Sequence, residues 1–292
     1  MYNLFSINTL VTNTANQTKL RYTKAPLPFQ GQKRMFLKPF AAEIRKFSPN
    51  SIFIDVFGGS GLLSRTIKDI HPSSRVIYND FDNYSERLRM IPTTEQIRDR
   101  LVPLVATIPK SKRLDREHTK SVADVLASFE ASGKSINYVT LSSWLLYTMH
   151  YFYSVDELRK TRLYNCVPLM PIAPATDYLD GLEVTHTDYR KLLDDFSDYR
   201  NAVFILDPPY LSTDNSQYNL YWGIEQYLKV IEHLPNHNFI YFASGKSDFI
   251  QFMQWAETKL GARNPFADAN KYTRRNTAAA NTYYTDVMYV VH

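Results

Sequence analysis

Ala202-Val203-Phe204-Ile205-Leu206-Asp207-Pro208-Pro209-Tyr210 is the stretch that decides the fold. Its five apolar residues read as a strand buried on both faces, and such strands belong to parallel sheets covered by helices. An acid, two prolines and an aromatic ring follow where the strand leaves its carboxyl end, which is the edge where open α/β sheets bind ligands. The two prolines remove two backbone donors and set φ twice, so their carbonyls are expected to accept bonds from outside the chain. An amine donor fits there, with the Asp207 carboxylate as second acceptor and the Tyr210 ring as a stacking platform. The tetrapeptide therefore reads as a pocket for a planar base carrying an exocyclic amino group. Standing alone, it reads as well as a strand that ends in a Pro-Pro turn.

A second stretch lies upstream. Ser51 to Phe57 is another β-rich run, ending in Gly58-Gly59-Ser60-Gly61 and then the helix-like Leu62 to Ile67. Three of the chain's 9 glycines fall within these four positions. Glycine gathered at one strand-to-helix turn lets a ligand approach the backbone.

Asp55-x-Phe57-x-Gly59-Ser60-Gly61 followed much later by Asp207-Pro208-Pro209-Tyr210 resembles the S-adenosylmethionine-dependent amino-methyltransferases, and within them the Dam-like class of DNA N6-adenine methyltransferases. The likeness covers most of the chain in family order. Phe29-Gln30-Gly31-Gln32-Lys33 is similar to the family's aromatic-x-Gly-x-Lys cofactor motif, with Gln32 where many members carry a second glycine and Gly58 as an additional glycine in the turn. The resemblance implies that Phe29, Gly31, Lys33, Asp55, Phe57, Gly59, Ser60 and Gly61 surround S-adenosylmethionine. It also implies that Asp80 bonds the cofactor ribose, as acids after the second strand do in Rossmann-like sheets, and that Asp188 bonds the cofactor's adenine. Asp207 lies at the meeting of cofactor and target, and Asp207, Pro208, Pro209 and Tyr210 are the implied catalytic set. Asp80 and Asp188 also read as helix caps.

The expected fold is α/β: a Rossmann-like methyltransferase sheet, mostly parallel with an antiparallel C-terminal strand, plus an inserted, mainly helical domain. Strand, glycine turn, helix and strand alternate over 51–80, the rhythm of a parallel sheet. It stops after Tyr84 and resumes near Glu183. Asn238–Ser244 and Thr285–Val291 read as further strands. The catalytic domain is expected over 1–83 and 181–292, and a helical target recognition domain over 84–180. Pro39–Phe47 reads as a helix with an early proline. Within 84–180, Ile97–Ile108 and Ser121–Ala131 read as amphipathic helices. Thr140–Tyr153, with Trp144, Tyr147, His150, Tyr151, Phe152 and Tyr153, reads as an aromatic helix of the insert's core. Arg159, Lys160, Arg162, Tyr164 and Asn165 resemble the basic Tyr-Asn stretch of the recognition domain, so they are candidates for phosphate and base-edge contacts. A solvated helix face accounts for the same charges. Lys110, Lys112, Arg113, Arg116 and Lys120 form a second basic stretch, diluted by Asp115 and Glu117.

The 292 residues are 44% hydrophobic, enough to bury a full core, and the net charge of +5 permits nucleic acid as a partner without demanding it. One cysteine, Cys166, excludes an internal disulfide. The histidines lack paired spacing, so no metal is expected. Met1–Leu20 lacks the pattern of a signal peptide, and no apolar run approaches the ~18 residues of a membrane span. A cytoplasmic monomer or weak dimer is expected, without membrane contact.

The expected reaction is methyl transfer to the N6 of adenine flipped out of double-stranded DNA. Three other readings compete. An RNA (rRNA) adenine-N6 or guanine-N2 methyltransferase shares the sheet and at times the tetrapeptide. A non-catalytic DNA-binding protein could retain the fold. A nucleotide-dependent dehydrogenase could use the glycine turn, although the full Gly-x-Gly-x-x-Gly pattern is missing. The same motifs serve solitary, phage-encoded and restriction-modification enzymes.

Overall fold

The computed structural model describes residues 19–147, 150–209, 222–245, 247–279 and 282–292. Seven strands form one sheet: β1 (Ile52–Asp55), β2 (Arg75–Asn79), β3 (Glu183–Thr185), β4 (Ala202–Leu206), β5 (Asn238–Ser244), β6 (Asn270–Ala279) and β7 (Thr282–Val291). Their order is β3-β2-β1-β4-β5-β7-β6. Only β7 opposes its neighbours; the pairs from β3 through β5 are all parallel. The expected Rossmann-like methyltransferase sheet with an antiparallel C-terminal strand is therefore the fold.

Residues alternate between the two faces of the sheet, as the pleat requires. Phe53, Val203, Ile205, Ile240 and Phe242 pack under helices α1 (Leu37–Ile44) and α2 (Leu62–Ile70). Ile54, Phe204, Leu206, Phe239 and Tyr241 pack on the opposite side. There they meet α8 (Tyr189–Phe196), α9 (Ile224–Glu232) and α10 (Asp248–Leu260). Helices on both faces explain why β4 is buried at all five positions and reads as an unbroken apolar run.

The residues between β2 and β3 carry α3 (Tyr84–Arg89), α4 (Ile91–Leu104), α5 (Arg116–Ala131), α6 (Tyr138–Leu145) and α7 (Val155–Lys160). From Ile97 to Val167 they enclose a hydrophobic core of their own. At the margins of this segment, Tyr84 and Tyr178 pack instead with Ala25 and Leu27 of the N-terminal stretch.

Two elements differ from the sequence reading. The aromatic run does not stay helical: α6 ends at Leu145, and Leu146 is extended. The chain returns so that the Phe152 N–H donates to Ser142 Oγ, which buries Phe152 and leaves Tyr147 and Tyr153 at the surface, 70% and 59% exposed. Strand β6 was not anticipated. Its Lys271, Arg274 and Arg275 belong to a sheet edge, where charge discourages further strand pairing and hides the apolar alternation.

Candidate active site

The strand order reverses between β1 and β4, so the carboxyl ends of these neighbours open the crevice where such sheets bind ligands. Asp55 ends β1, and Asp207 follows the last residue of β4. The register pairs Asp55 with Ile205, so Asp207 stands two residues farther along the same edge. Asp55 is fully buried and accepts from Ser64 Oγ at 2.6 Å. Burial pushes its carboxyl up to about 7; Asp207 pushes the same way, and the Ser64 hydrogen bond opposes.

The turn after β1 is held from three sides. Gly59 and Gly61 adopt positive φ, 48° and 69°, and Gly61 begins α2. Gly58 answers to crowding: a Cβ there would lie 2.4 Å from the Tyr78 ring and 2.9 Å from the Asn79 carbonyl. Tyr78 is fully buried and donates its hydroxyl to the Gly59 carbonyl at 2.7 Å. Tyr178, from the far end of the insert, donates to the Ser60 carbonyl at 2.9 Å. The Phe29 ring lies against Gly59, where a Cβ would approach it to 2.9 Å.

Lys33 crosses to the other side of the crevice. It is 9% exposed, donates to the Gly31 carbonyl at 2.9 Å and pairs with Asp207 Oδ2 at 2.5 Å. The N-terminal motif and the tetrapeptide thus meet through an ion pair. The Pro209 carbonyl accepts from the Tyr227 hydroxyl. Among the described residues nothing donates to the Pro208 carbonyl. Phe57 packs against Tyr189 and Trp222, ring centroids 5.6 and 5.3 Å away. The Trp222 indole N–H is buried and has no acceptor among the described residues. Tyr210 lies outside the described residues.

Asp80 is placed differently from the ribose-binding expectation. It is fully buried, and its oxygens accept the Tyr84 and Ser85 backbone N–H at 2.6 and 2.8 Å and the Tyr78 hydroxyl at 3.1 Å. Here it serves the start of α3, so a ribose hydroxyl would have to share an oxygen already in use. Asp188 caps α8, accepting from the Arg190 backbone at 2.9 Å and from its guanidinium at 2.8 and 2.9 Å. That guanidinium holds its carboxyl below the usual range. Asp188 nonetheless follows β3 at the same edge of the sheet, next to Thr187. Asn79 secures that edge: its amide donates to the Val56 and Thr187 carbonyls and its oxygen accepts the Thr187 N–H. Asn79, Tyr178 and Trp222 are site residues that the motifs did not single out. Only their partners on distant segments reveal them.

The insert separates the basic stretch from its Asn. Asn165 is 2% exposed and donates to the Val105 and Ile108 carbonyls at 3.1 and 2.6 Å. It holds the insert together and cannot reach a base edge. Arg159, Lys160 and Arg162 are exposed, Arg159 within 3.3 Å of Asp156. Tyr164 is half-buried beside Tyr147.

Two neighbouring carboxyl groups, one of them poised near neutrality, make the crevice receptive to a cation. The Pro208 carbonyl and Asp207 supply acceptors for an amine. Among the described residues, no cluster of His, Cys, Asp and Glu could hold a metal ion, and no helix is long and apolar enough to cross a membrane. No family model matches the chain. A protein of Haemophilus influenzae named "Putative methyltransferase" is 35% identical over 278 residues, covering 92% of this chain and 93% of that protein.

Proposed function

The chain belongs to the methyltransferases, and we propose that within them it moves a methyl group from S-adenosylmethionine to the N6 amino group of adenine in double-stranded DNA. The observation that carries this reading is the meeting of Asp207 and the Pro208 carbonyl with Asp55 and the glycine turn at one switch point of the sheet.

When bound, S-adenosylmethionine supplies a methyl group on a sulfonium centre. The chain's donor set fits such a ligand. Asp55 and Asp207 offer negative charge to its ammonium and sulfonium groups, and a cation there relieves the repulsion between the two acids. Gly59 and Gly61 bring backbone close to it, while Phe29 and Lys33 close the N-terminal side. Phe57, Tyr189 and Trp222 offer an apolar wall near Asp188 for an adenine ring.

On the acceptor side, Asp207 and the Pro208 carbonyl accept hydrogen bonds from the two N6 hydrogens. This turns the nitrogen lone pair out of conjugation and toward the methyl carbon. S-adenosylmethionine would supply the methyl carbon and keep the electron pair of its C–S bond, and the Asp207 carboxylate is placed to receive the proton that the methylated amine gives up. Lys33, paired with Asp207 Oδ2, holds the carboxylate in place for the amine. Most of the acceleration comes from placement, and no covalent enzyme intermediate is needed. Tyr210 is assigned to stacking on the flipped base.

The test is incubation with tritiated S-adenosylmethionine and either unmethylated duplex DNA or total RNA, followed by analysis of the labelled base. N6-methyladenine in DNA is the expected product. Label confined to RNA, or to cytosine, overturns the substrate assignment.

Asp55 adds a pH dependence. Its pKa of about 7 means that below neutrality it must lose a proton before it can attract a cation. S-adenosylmethionine affinity is therefore expected to rise from pH 6 to pH 8, with net proton release on binding below pH 7. The protein's own stability runs the other way. Folding raises this carboxyl above its unfolded value near 4, so the cost of burying it is absent below pH 4, grows between pH 4 and 7 and levels off above that. Calorimetric titration in buffers of different ionisation enthalpy reads both proton release and affinity. An affinity flat with pH, or a dependence that survives in Asp55→Asn, rules out this role.

A further inference from the structure

The two basic stretches of the insert, far apart in sequence, meet in one groove of about 580 Å³. It is lined by Arg113 and Arg116 from one stretch and Arg159, Lys160 and Arg162 from the other, with Asp115 the single acid. The meeting is enforced by the backbone. Ser111 N–H donates to the Asn165 carbonyl at 2.7 Å, Asn165 N–H to Lys112 at 2.9 Å and Leu114 N–H to Leu163 at 2.9 Å. Alternation across this short antiparallel ladder turns Leu114, Leu163 and Asn165 into the insert's core. The same alternation sends Arg113, Arg162 and Tyr164 outward, with Arg113 and Tyr164 directly opposed.

Apart from Arg159, which lies 3.3 Å from Asp156, the charge of this groove is not spent internally. Among the described residues, Arg113, Arg116, Lys160 and Arg162 make no ion pair. Asp115 is committed to capping α5 through the His118 N–H at 2.8 Å and to the His118 ring at 2.8 Å. Tyr164 and the exposed Tyr147 pack together at the same ladder, tilted by 45° with centroids 5.8 Å apart. Cations strung along a groove with aromatic rings beside them suit a linear polyanion carrying flat bases better than a single compact anion.

We infer that this groove binds the phosphate backbone of the DNA substrate, with Arg113, Arg116 and Arg162 as direct phosphate contacts. The inference rests on the DNA reading above for the identity of the polymer and goes beyond it in naming the surface. Phosphate contacts set register and affinity without reading sequence. The residues that choose the target are therefore to be sought outside this groove.

The test uses the full chain and fluorescein-labelled duplex DNA, with affinity measured by anisotropy between about 50 and 200 mM salt. The triple variant R113A/R116A/R162A is compared with a control of equal charge, K38A/R200A/K259A. Each lost phosphate contact should remove about 0.9 from the slope of log affinity against log salt. The groove variant should therefore lose between two and three units of slope, bind at least tenfold more weakly, and keep its S-adenosylmethionine affinity and melting temperature. An unchanged slope overturns the proposal, as does an equal loss in the control, which would trace the effect to net charge alone. A groove-dependent slope seen with RNA but not with duplex DNA overturns the choice of polymer. Groove-dependent DNA binding without any methyl transfer to adenine would leave the groove standing and remove the reaction assigned above.

Discussion

Asp207→Ala is expected to lower methyl transfer at least a thousandfold, a loss of about 4 kcal/mol of transition-state stabilisation. The carboxylate follows β4 at the switch point, beside the Pro208 carbonyl. The variant will also stabilise the fold less, because Lys33 is 9% exposed and loses its partner at 2.5 Å. Its contact with the Gly31 carbonyl remains, and Asp207 itself is 20% exposed, so solvent moderates the cost. Asp207→Asn separates the two effects: its single amide oxygen can face Lys33 or the amine but not both, so it should melt closer to the parent than alanine does while turnover stays well below the parent. Single-turnover methylation and thermal melting read the two quantities independently. An alanine variant with near-normal turnover would remove Asp207 from the mechanism.

Gly58→Ala is expected to be nearly as damaging by another route. The added methyl would overlap a buried ring at 2.4 Å and a backbone oxygen at 2.9 Å. Tyr78 cannot swing aside, since its hydroxyl holds the Gly59 carbonyl and its ring is enclosed by the core. Overpacking of this kind costs about 1–3 kcal/mol, and relief by shifting the turn would displace Gly59 and Gly61. The expected result is a melting temperature several degrees lower and S-adenosylmethionine affinity at least tenfold weaker. Combining it with Tyr78→Val should restore much of the melting temperature. Parent-like affinity and melting in the single variant would show that the turn tolerates a side chain.

How much of this could be read from sequence depended on whether a property was local. β1, β2, β4 and β5 stand out as apolar runs because helices cover both faces. β6 does not, because at the edge its charges face solvent. The glycine turn was visible, but the reason for Gly58 was not: it lies in a ring on the neighbouring strand rather than in the backbone angle. The start of α6 was legible and its end was not, since the chain turns back to satisfy Ser142 and bury Phe152. Asn165 looked available among cations, and only the ladder with 111–114 sets it facing inward. Lys33 came from the resemblance. Its pairing with Asp207 is a contact between chain-distant segments that no local pattern carries.

The insert interrupts the sheet between two strands that end up side by side, and this has a consequence for the order of assembly. Pairing Asn79 with Thr185 closes a loop on the order of a hundred residues. β1, β2 and the glycine turn need no such closure. The intervening segment has its own core, so its collapse can bring the two ends together before β3 pairs. β3 is three residues long and lies at the edge, which makes it the last and least protected part of the sheet to form. Asp188 and Tyr189, one ring of the aromatic wall, follow directly from it. Damage to the insert would therefore surface first as a slow, incomplete closing of this side of the crevice, while the central strands remain folded and protected from hydrogen exchange.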